Sequence, residues 1–221
     1  MLLGFSTGCL YKTRKSILEI IKLIADIGCN AIELAFLDID ELNTLDDLIK
    51  GTFRAFEYVS FHAPALDFIY QDEKVTKDLL DKIQRAYNNF NLEIVVIHPD
   101  RIASWEVFNN FSISPAIENM DNRKPVGKTV RSLQDLFNRY EMDMVLDLMH
   151  CYTNDKSMNL ARELSVNFKD KIKEIHLSGF DKHHAPLYKT KQTEIIEAIP
   201  DKNLPIIIES VNLHPNDLKR E

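Results

Sequence analysis

Seven histidines are scattered through this 221-residue chain, and six of them fall where short apolar runs end. His62 closes the run at 58–61, His98 the run at 94–97, and His176 the run at 172–175, while His150 lies three residues past Asp147. His183 and His184 follow in the loop after residue 177, which leaves His214 alone outside the pattern. Carboxylates occupy equivalent positions: Glu118, Asp147, Asp181 and Glu209. A single histidine at a strand end is more often a hydrogen-bonded structural residue than a ligand, but a set placed alike is better explained by shared chemistry. Four acids brought together repel one another unless cations lie between them. Imidazole and carboxylate are the donors of zinc, and also suit manganese or iron. Six histidines and four acids exceed what one ion can coordinate. The set therefore points to two or three ions bridged by a carboxylate, an arrangement suited to in-line displacement at phosphorus. Three divalent ions set against four carboxylates leave about two positive charges at the mouth, which would attract an anionic substrate.

Such convergence requires elements that end at one place. Apolar, β-branched runs at residues 2–6, 31–35, 58–62, 94–98, 116–119, 144–147, 172–177 and 205–209 read as eight strands buried on both faces. Amphipathic stretches at 16–27, 42–50, 74–89, 127–140, 155–168 and 191–199 read as intervening helices, with Asn154 as the cap of the fifth. Eight strands alternating with helices predict a single (β/α)8 TIM barrel over residues 1–221, rather than the alternative of an open doubly wound sheet. In that barrel the C-terminal strand ends converge on one mouth, where all these ligands would meet. The barrel is trimmed: only residues 104–110 are available for a fourth helix, and only 210–221 for the eighth.

Composition narrows the setting. With 45% apolar residues the chain can bury one substantial core. Its 27 basic and 34 acidic residues give a net charge of −7, which argues against a surface built to grip a long nucleic acid. Cys9, Cys29 and Cys151 are an odd set without CxxC spacing, and no leader-like segment precedes them, so a cytoplasmic setting is expected. Apolar runs such as 94–97 and 206–208 are far shorter than a membrane span, and no membrane association is expected.

Several motifs carry a resemblance. V-I-H-P at Val96–Pro99, D-x-x-H at Asp147–His150, H-L-S at His176–Ser178, D-K-H-H at Asp181–His184 and I-I-E at Ile207–Glu209 occur in this order at successive predicted strand ends. Together they resemble the endonuclease IV family, or AP endonuclease family 2, among the xylose isomerase-like barrels. The resemblance implies a cluster of up to three zinc ions. His62, His98 and Glu118 would hold one, with Glu118 bridging to a second held by Asp147, His176 and Glu209. His150, Asp181 and His183 would hold the third, with His184 beside them as a supporting or exposed residue. The chain departs from the family at Asn119–Asn122, where a small, glycine-containing run is usual, and in the short segment between His98 and Glu118. These departures argue against duplex DNA as substrate. Ile32–Leu34 is similar instead to sugar isomerases and epimerases of the same group, in which Glu118, Asp147, His176 and Glu209 would hold one metal.

The leading expectation is a zinc-dependent phosphoesterase, with manganese also suited to the donors, acting on a small or single-stranded phosphoester. Glu209 would orient or deprotonate the attacking water. The alternative is a sugar or sugar-phosphate isomerase or epimerase in which Glu118 and Glu209 move the proton; a degenerate barrel that merely binds an anion or metal is a third reading. Other residues receive quieter roles: Glu33 anchors a loop, Trp105 and Tyr188 stack on substrate or pack a short lid, Cys151 is a buried thiol, Lys128 and Arg131 decorate a helix, and His214 is a surface residue.

Overall fold

The computed structural model describes residues 1–36, 38–211 and 213–221. Eight parallel strands form its centre: β1 Leu3–Ser6, β2 Ala31–Ala35, β3 Tyr58–His62, β4 Val95–Ile97, β5 Pro115–Glu118, β6 Asp143–Asp147, β7 Ile172–Leu177 and, after a short hairpin of β8 Gly179–Phe180 and β9 His184–Ala185, β10 Ile206–Ile208. They close in the order β1-β10-β7-β6-β5-β4-β3-β2, a (β/α)8 barrel. The outer faces of the strands and the inner faces of the helices share one continuous core. Two smaller apolar groups, Ile94, Val96, Ala116 and Val145, and Ala31, Tyr58 and Ile207, are separate from it. By the two-residue alternation of a strand these share a face with the predicted ligands: Val96 with His98, Ala116 with Glu118, Val145 with Asp147, and Ile207 with Glu209. They fill the barrel's interior, and the ligands crown it.

The helices form where caps and periodicity agree. Helix α1, Ile17–Asp26, starts in a capping box between Ser16 and Glu19. Helix α2, Lys74–Phe90, buries Leu79, Leu80, Ile83, Ala86 and Phe90 and ends at Asn91, whose φ of 53° turns the chain out. Helix α3, Val130–Phe137, is shorter than residues 127–140 because Thr129 and Ser132 cap it from inside that span. The segments at 42–50 and 104–110 are 3-10 turns, Asp40–Asp47 and Trp105–Asn110, rather than α-helices.

The helix expected at 155–168 is α5 Asn159–Asn167, and a further helix that was not expected, α4 Leu148–Asn154, precedes it. Asp155 explains the break: its carboxylate accepts from Ser157 N at 3.0 Å and Leu160 N at 3.1 Å, a turn that competes with a continuous helix. Asn154 therefore closes one helix rather than capping the next. Two short helices, α6 Leu187–Thr190 and α7 Thr193–Glu197, precede β10. Among the described residues, no helix is long and apolar enough to cross a membrane.

Closure at β1 depends on Gly4. An added Cβ there would lie 1.8 Å from Ala31 O on β2, a collision with backbone that no rotamer relieves. Gly4→Ala is expected to cost about 3 kcal/mol or more by forced separation of β1 from β2. Urea unfolding monitored by circular dichroism measures it, and an unchanged midpoint would refute the packing argument.

Candidate metal centre

Each ligand's position follows from its strand. β3 and β5 end on His62 and Glu118, His98 and Glu209 follow the last residues of β4 and β10, and His176 is the penultimate residue of β7. On β6 the strand passes directly into α4, so Asp147 ends one element and caps the next, its side chain accepting from His150 N at 2.7 Å. The three-residue spacing of this pair is thus the spacing of a helix N-cap. Asn119 holds the junction. Its amide donates to Asp147 O at 2.9 Å and accepts from Asp147 N at 2.8 Å, adding a side-chain rung beyond the β5–β6 ladder. The Asn119 carbonyl accepts from His150 Nδ1 at 2.8 Å, which leaves Nε2 with the lone pair.

His62, His98 and Glu118 form the first group. His62 Nδ1 donates to Ala63 O at 3.0 Å, so its Nε2 lone pair faces His98 Nε2 at 3.1 Å. Glu118 Oε2 lies 3.5 Å from the first nitrogen and 2.9 Å from the second. Three lone-pair atoms facing one another demand a proton or cation between them. Their separations bracket about 3.3 Å, the edge of a tetrahedron whose metal–ligand bonds are about 2.0 Å.

Glu118, Asp147, His176 and Glu209 form the second group, and Asp147, His150 and His184 a third. In the second, His176 Nδ1 faces Glu209 Oε2 at 3.1 Å and Glu118 Oε1 at 3.6 Å. Asp147 Oδ2 and His176 Nδ1 are buried without a hydrogen-bond partner, as expected of atoms whose partner is an ion. The donor set fits divalent metal in both groups. In the third, the His150 and His184 rings meet edge to face at 5.2 Å, and Ser178 Oγ lies 3.0 Å from His184 Nδ1, fixing the ring.

The protein's own groups show the same need for cations. Burial opposes charge on His150, yet Asp147 and Glu118 outweigh it and push its pKa up to about 10. His62, also buried, is raised to about 9 by Glu118 and Glu33. His98 moves down, because burial is reinforced by the charges of His62 and His150 despite Glu118. Burial would raise Glu209, but His176 brings it down to about 2. Burial also raises Asp147, with Glu118 and Glu209 adding repulsion. A dense group of acids and imidazoles thus distributes a few protons over positions that metal ions could occupy.

Of the nine predicted ligands, seven converge: His62, His98, Glu118, Asp147, His150, His176 and Glu209. Asp181 and His183 do not; both are exposed in the turn of the β8–β9 hairpin. The correction has a simple cause. Antiparallel pairing of Phe180 with His184 leaves residues 181–183 as the turn, and His184 approaches Glu209, with 3.8 Å between Nδ1 and Oε2.

Glu33 also departs from expectation. It does not anchor a loop; it is fully buried inside the barrel against His176, together with Glu174. Glu174 and Asn119 were not foreseen as site residues. The two-residue spacing from Glu174 to His176 on β7 was the available signal. Trp105 stacks on Tyr140 with ring centres 4.6 Å apart, Tyr188 lies under Arg220, and His214 accepts from Asn216 N in its own turn. Cys151 is a buried thiol beside Asn119.

No protein-family model matches the chain, and neither does any curated protein. Solved structures do. A xylose isomerase domain-containing protein from Salmonella typhimurium superposes with a TM-score of 0.70 at 15% identity, covering 99% of this chain and 93% of that one. 3-Keto-D-glucoside 4-epimerase from E. coli gives 0.64 at 12% identity, with 100% and 96% covered. AP endonuclease, family 2 from Brucella melitensis gives 0.59 at 13% identity, with 95% and 92% covered. The chain has the xylose isomerase-like (β/α)8 fold.

His62 and His150, with pKa values raised to about 9 and about 10, favour the protonated form at neutral pH, so a metal ion bound there would displace their protons. A raised imidazole pKa favours the protonated form below that pKa, so metal affinity is expected to climb as pH rises toward 9. Calorimetry in buffers of different ionisation enthalpy should register net proton release on zinc binding at pH 7, to which His176, also raised, against its burial, by Glu209 and Glu33, contributes with His62 and His150. Zinc binding without proton release would contradict this arrangement.

Proposed function

We propose that the protein is a metal-dependent phosphoesterase, most simply a zinc enzyme, that acts on a small or single-stranded phosphoester. The observation that carries the proposal is the position of Glu118, with His62 and His98 on one side and His176, beside Glu209, on the other. His62 and His98 are superfluous to a single ion held by the Glu118, Asp147, His176 and Glu209 quartet. Divalent ions in the two groups would supply Lewis acidity, a nucleophile at neutral pH and a clamp on the attacking and leaving oxygens.

The chain's residues divide the remaining work by exposure. Glu118, 1% exposed and common to both groups, would be a ligand available to the ions of each. Glu209, 14% exposed at the mouth and held ionised by His176, is placed to orient or deprotonate the attacking water. A cavity of about 600 Å³ adjoins His184 and is lined in part by Lys182, His183 and Lys189. That volume suits a small ligand, and its two lysines, set against the single acid Asp181, suit a phosphate. The net charge of −7 and the short mouth loops weigh against duplex DNA.

A second reading rests on the quartet alone. It could hold one metal for a sugar or sugar-phosphate isomerase or epimerase, with Glu118 and Glu209 exchanging a proton with substrate.

Elemental analysis of protein purified without added metal separates the two readings: two or three ions per chain support the phosphoesterase, and near one supports the isomerase. His98→Ala provides an independent check, since it should reduce phosphoesterase turnover by about a hundredfold or more and leave a single-metal isomerase nearly intact. Glu209→Gln should abolish turnover, and Glu209→Asp, which withdraws the carboxylate by about 1 Å, should lower it about a hundredfold. Near wild-type rates in Glu209→Gln would remove Glu209 from the assigned role.

A further inference from the structure

Below the ligands the barrel interior is unevenly polar. Val96, Ala116, Val145 and Ile207 fill the interior face of β4, β5, β6 and β10, whereas β2, β3 and β7 present Glu33, Ser60 and Glu174, all fully buried. Both carboxylates point at one atom: His176 Nε2 lies 2.8 Å from Glu174 Oε1 and 3.2 Å from Glu33 Oε2. Neither acid forms an ion pair with lysine or arginine among the described residues, and only Glu174 Oε1 has hydrogen-bond geometry to the ring: both oxygens of Glu33 and Glu174 Oε2 have no hydrogen-bond partner, so Glu33 acts on Nε2 by its proximity.

Burying two carboxylates around a single donor that bonds only one of them is costly, and an aliphatic plug would fill the same space, as it does on the facing strands. A purely structural role does not account for them. Their geometry does define one thing, the chemistry of the His176 ring. An acceptor at Nε2 keeps the proton there and leaves the Nδ1 lone pair on the side of Glu118 and Glu209.

We infer that Glu174, assisted by Glu33, is a positioning residue that fixes His176 as an Nδ1 donor and strengthens it toward the ion shared with Glu118, Asp147 and Glu209. The inference rests on the metal reading above but holds for hydrolysis or isomerisation alike. The isosteric replacements Glu174→Gln and Glu33→Gln retain volume and remove charge. Neutralising one acid weakens the hydrogen bond to Nε2–H, and neutralising both weakens it further.

Competition between the protein and a chromophoric zinc chelator reads the effect. Relative to wild type, Glu174→Gln should weaken one ion about tenfold, and the double variant about a hundredfold. Binding of the ion at His62 and His98 should stay within about twofold, which a general loss of packing would not spare. A second readout needs no variant: in zinc-loaded protein, long-range proton–nitrogen correlation should show the His176 proton on Nε2. A proton on Nδ1, or unchanged zinc affinities in the folded double variant, overturns the assignment. Wild-type protein that binds no zinc overturns the metal reading and this one with it, whereas normal wild-type binding with unaffected variants overturns only the positioning role.

Discussion

Glu118 is a carboxylate 1% exposed, with His98 Nε2 at 2.9 Å, His150 Nδ1 at 3.2 Å and His62 Nε2 at 3.5 Å. A buried carboxylate is tolerated only with nearby positive charge or strong donors, and here the donors are imidazoles that themselves resist burial when charged. Each group is stable only in the company of the others. The consequence spreads outward: His98 loses affinity for its proton while His62 and His150 gain, and Glu209 stays ionised beside His176. Divalent cations, where bound, would resolve the same conflict by replacing several imperfectly shared protons with point charges.

The barrel makes this crowding affordable because it separates the two requirements. Parallel strands bury their outer faces against helices in one large apolar core, so most apolar burial lies away from the mouth. The inner faces can then carry polar side chains at every second position. Three short-range devices sharpen the result: Asp147 capping α4, Asn119 bridging β5 to the start of that helix, and Ser178 fixing His184. Each converts a flexible strand end into a fixed ligand direction.

The fold and the convergence of seven candidate ligands were legible in the sequence because both arise from local pattern. A parallel strand is a short apolar run, and a ligand at its end breaks that run with a histidine or acid, as at 58–62 and 94–98. What escaped was decided by tertiary pairing. His183 and His184 are adjacent, and only the Phe180–His184 pairing determines that the second turns inward. Asp155 could equally have continued a helix as interrupted one, until its carboxylate found Ser157 and Leu160. Glu174 was hidden for a different reason. It lies inside the 172–177 run, which was read as a strand without regard to which of its residues face inward, and only the closed barrel puts the face it shares with His176 in the lumen.

The trimmed architecture also has a bearing on how site and scaffold share their stability. Helix α4 has only seven residues, and His150 and the buried face around it bring the helix into the ligand cluster. The hairpin that carries His184 has two residues per strand, too few for independent stability. Ions that bind the assembled ligands and not the unfolded chain add RT ln(1 + [M]/Kd) to folding, with [M] the free ion concentration, and they add it where these short elements converge. Cations held by these ligands would therefore tie the least self-sufficient elements of the mouth to the barrel, and the mouth can stay short.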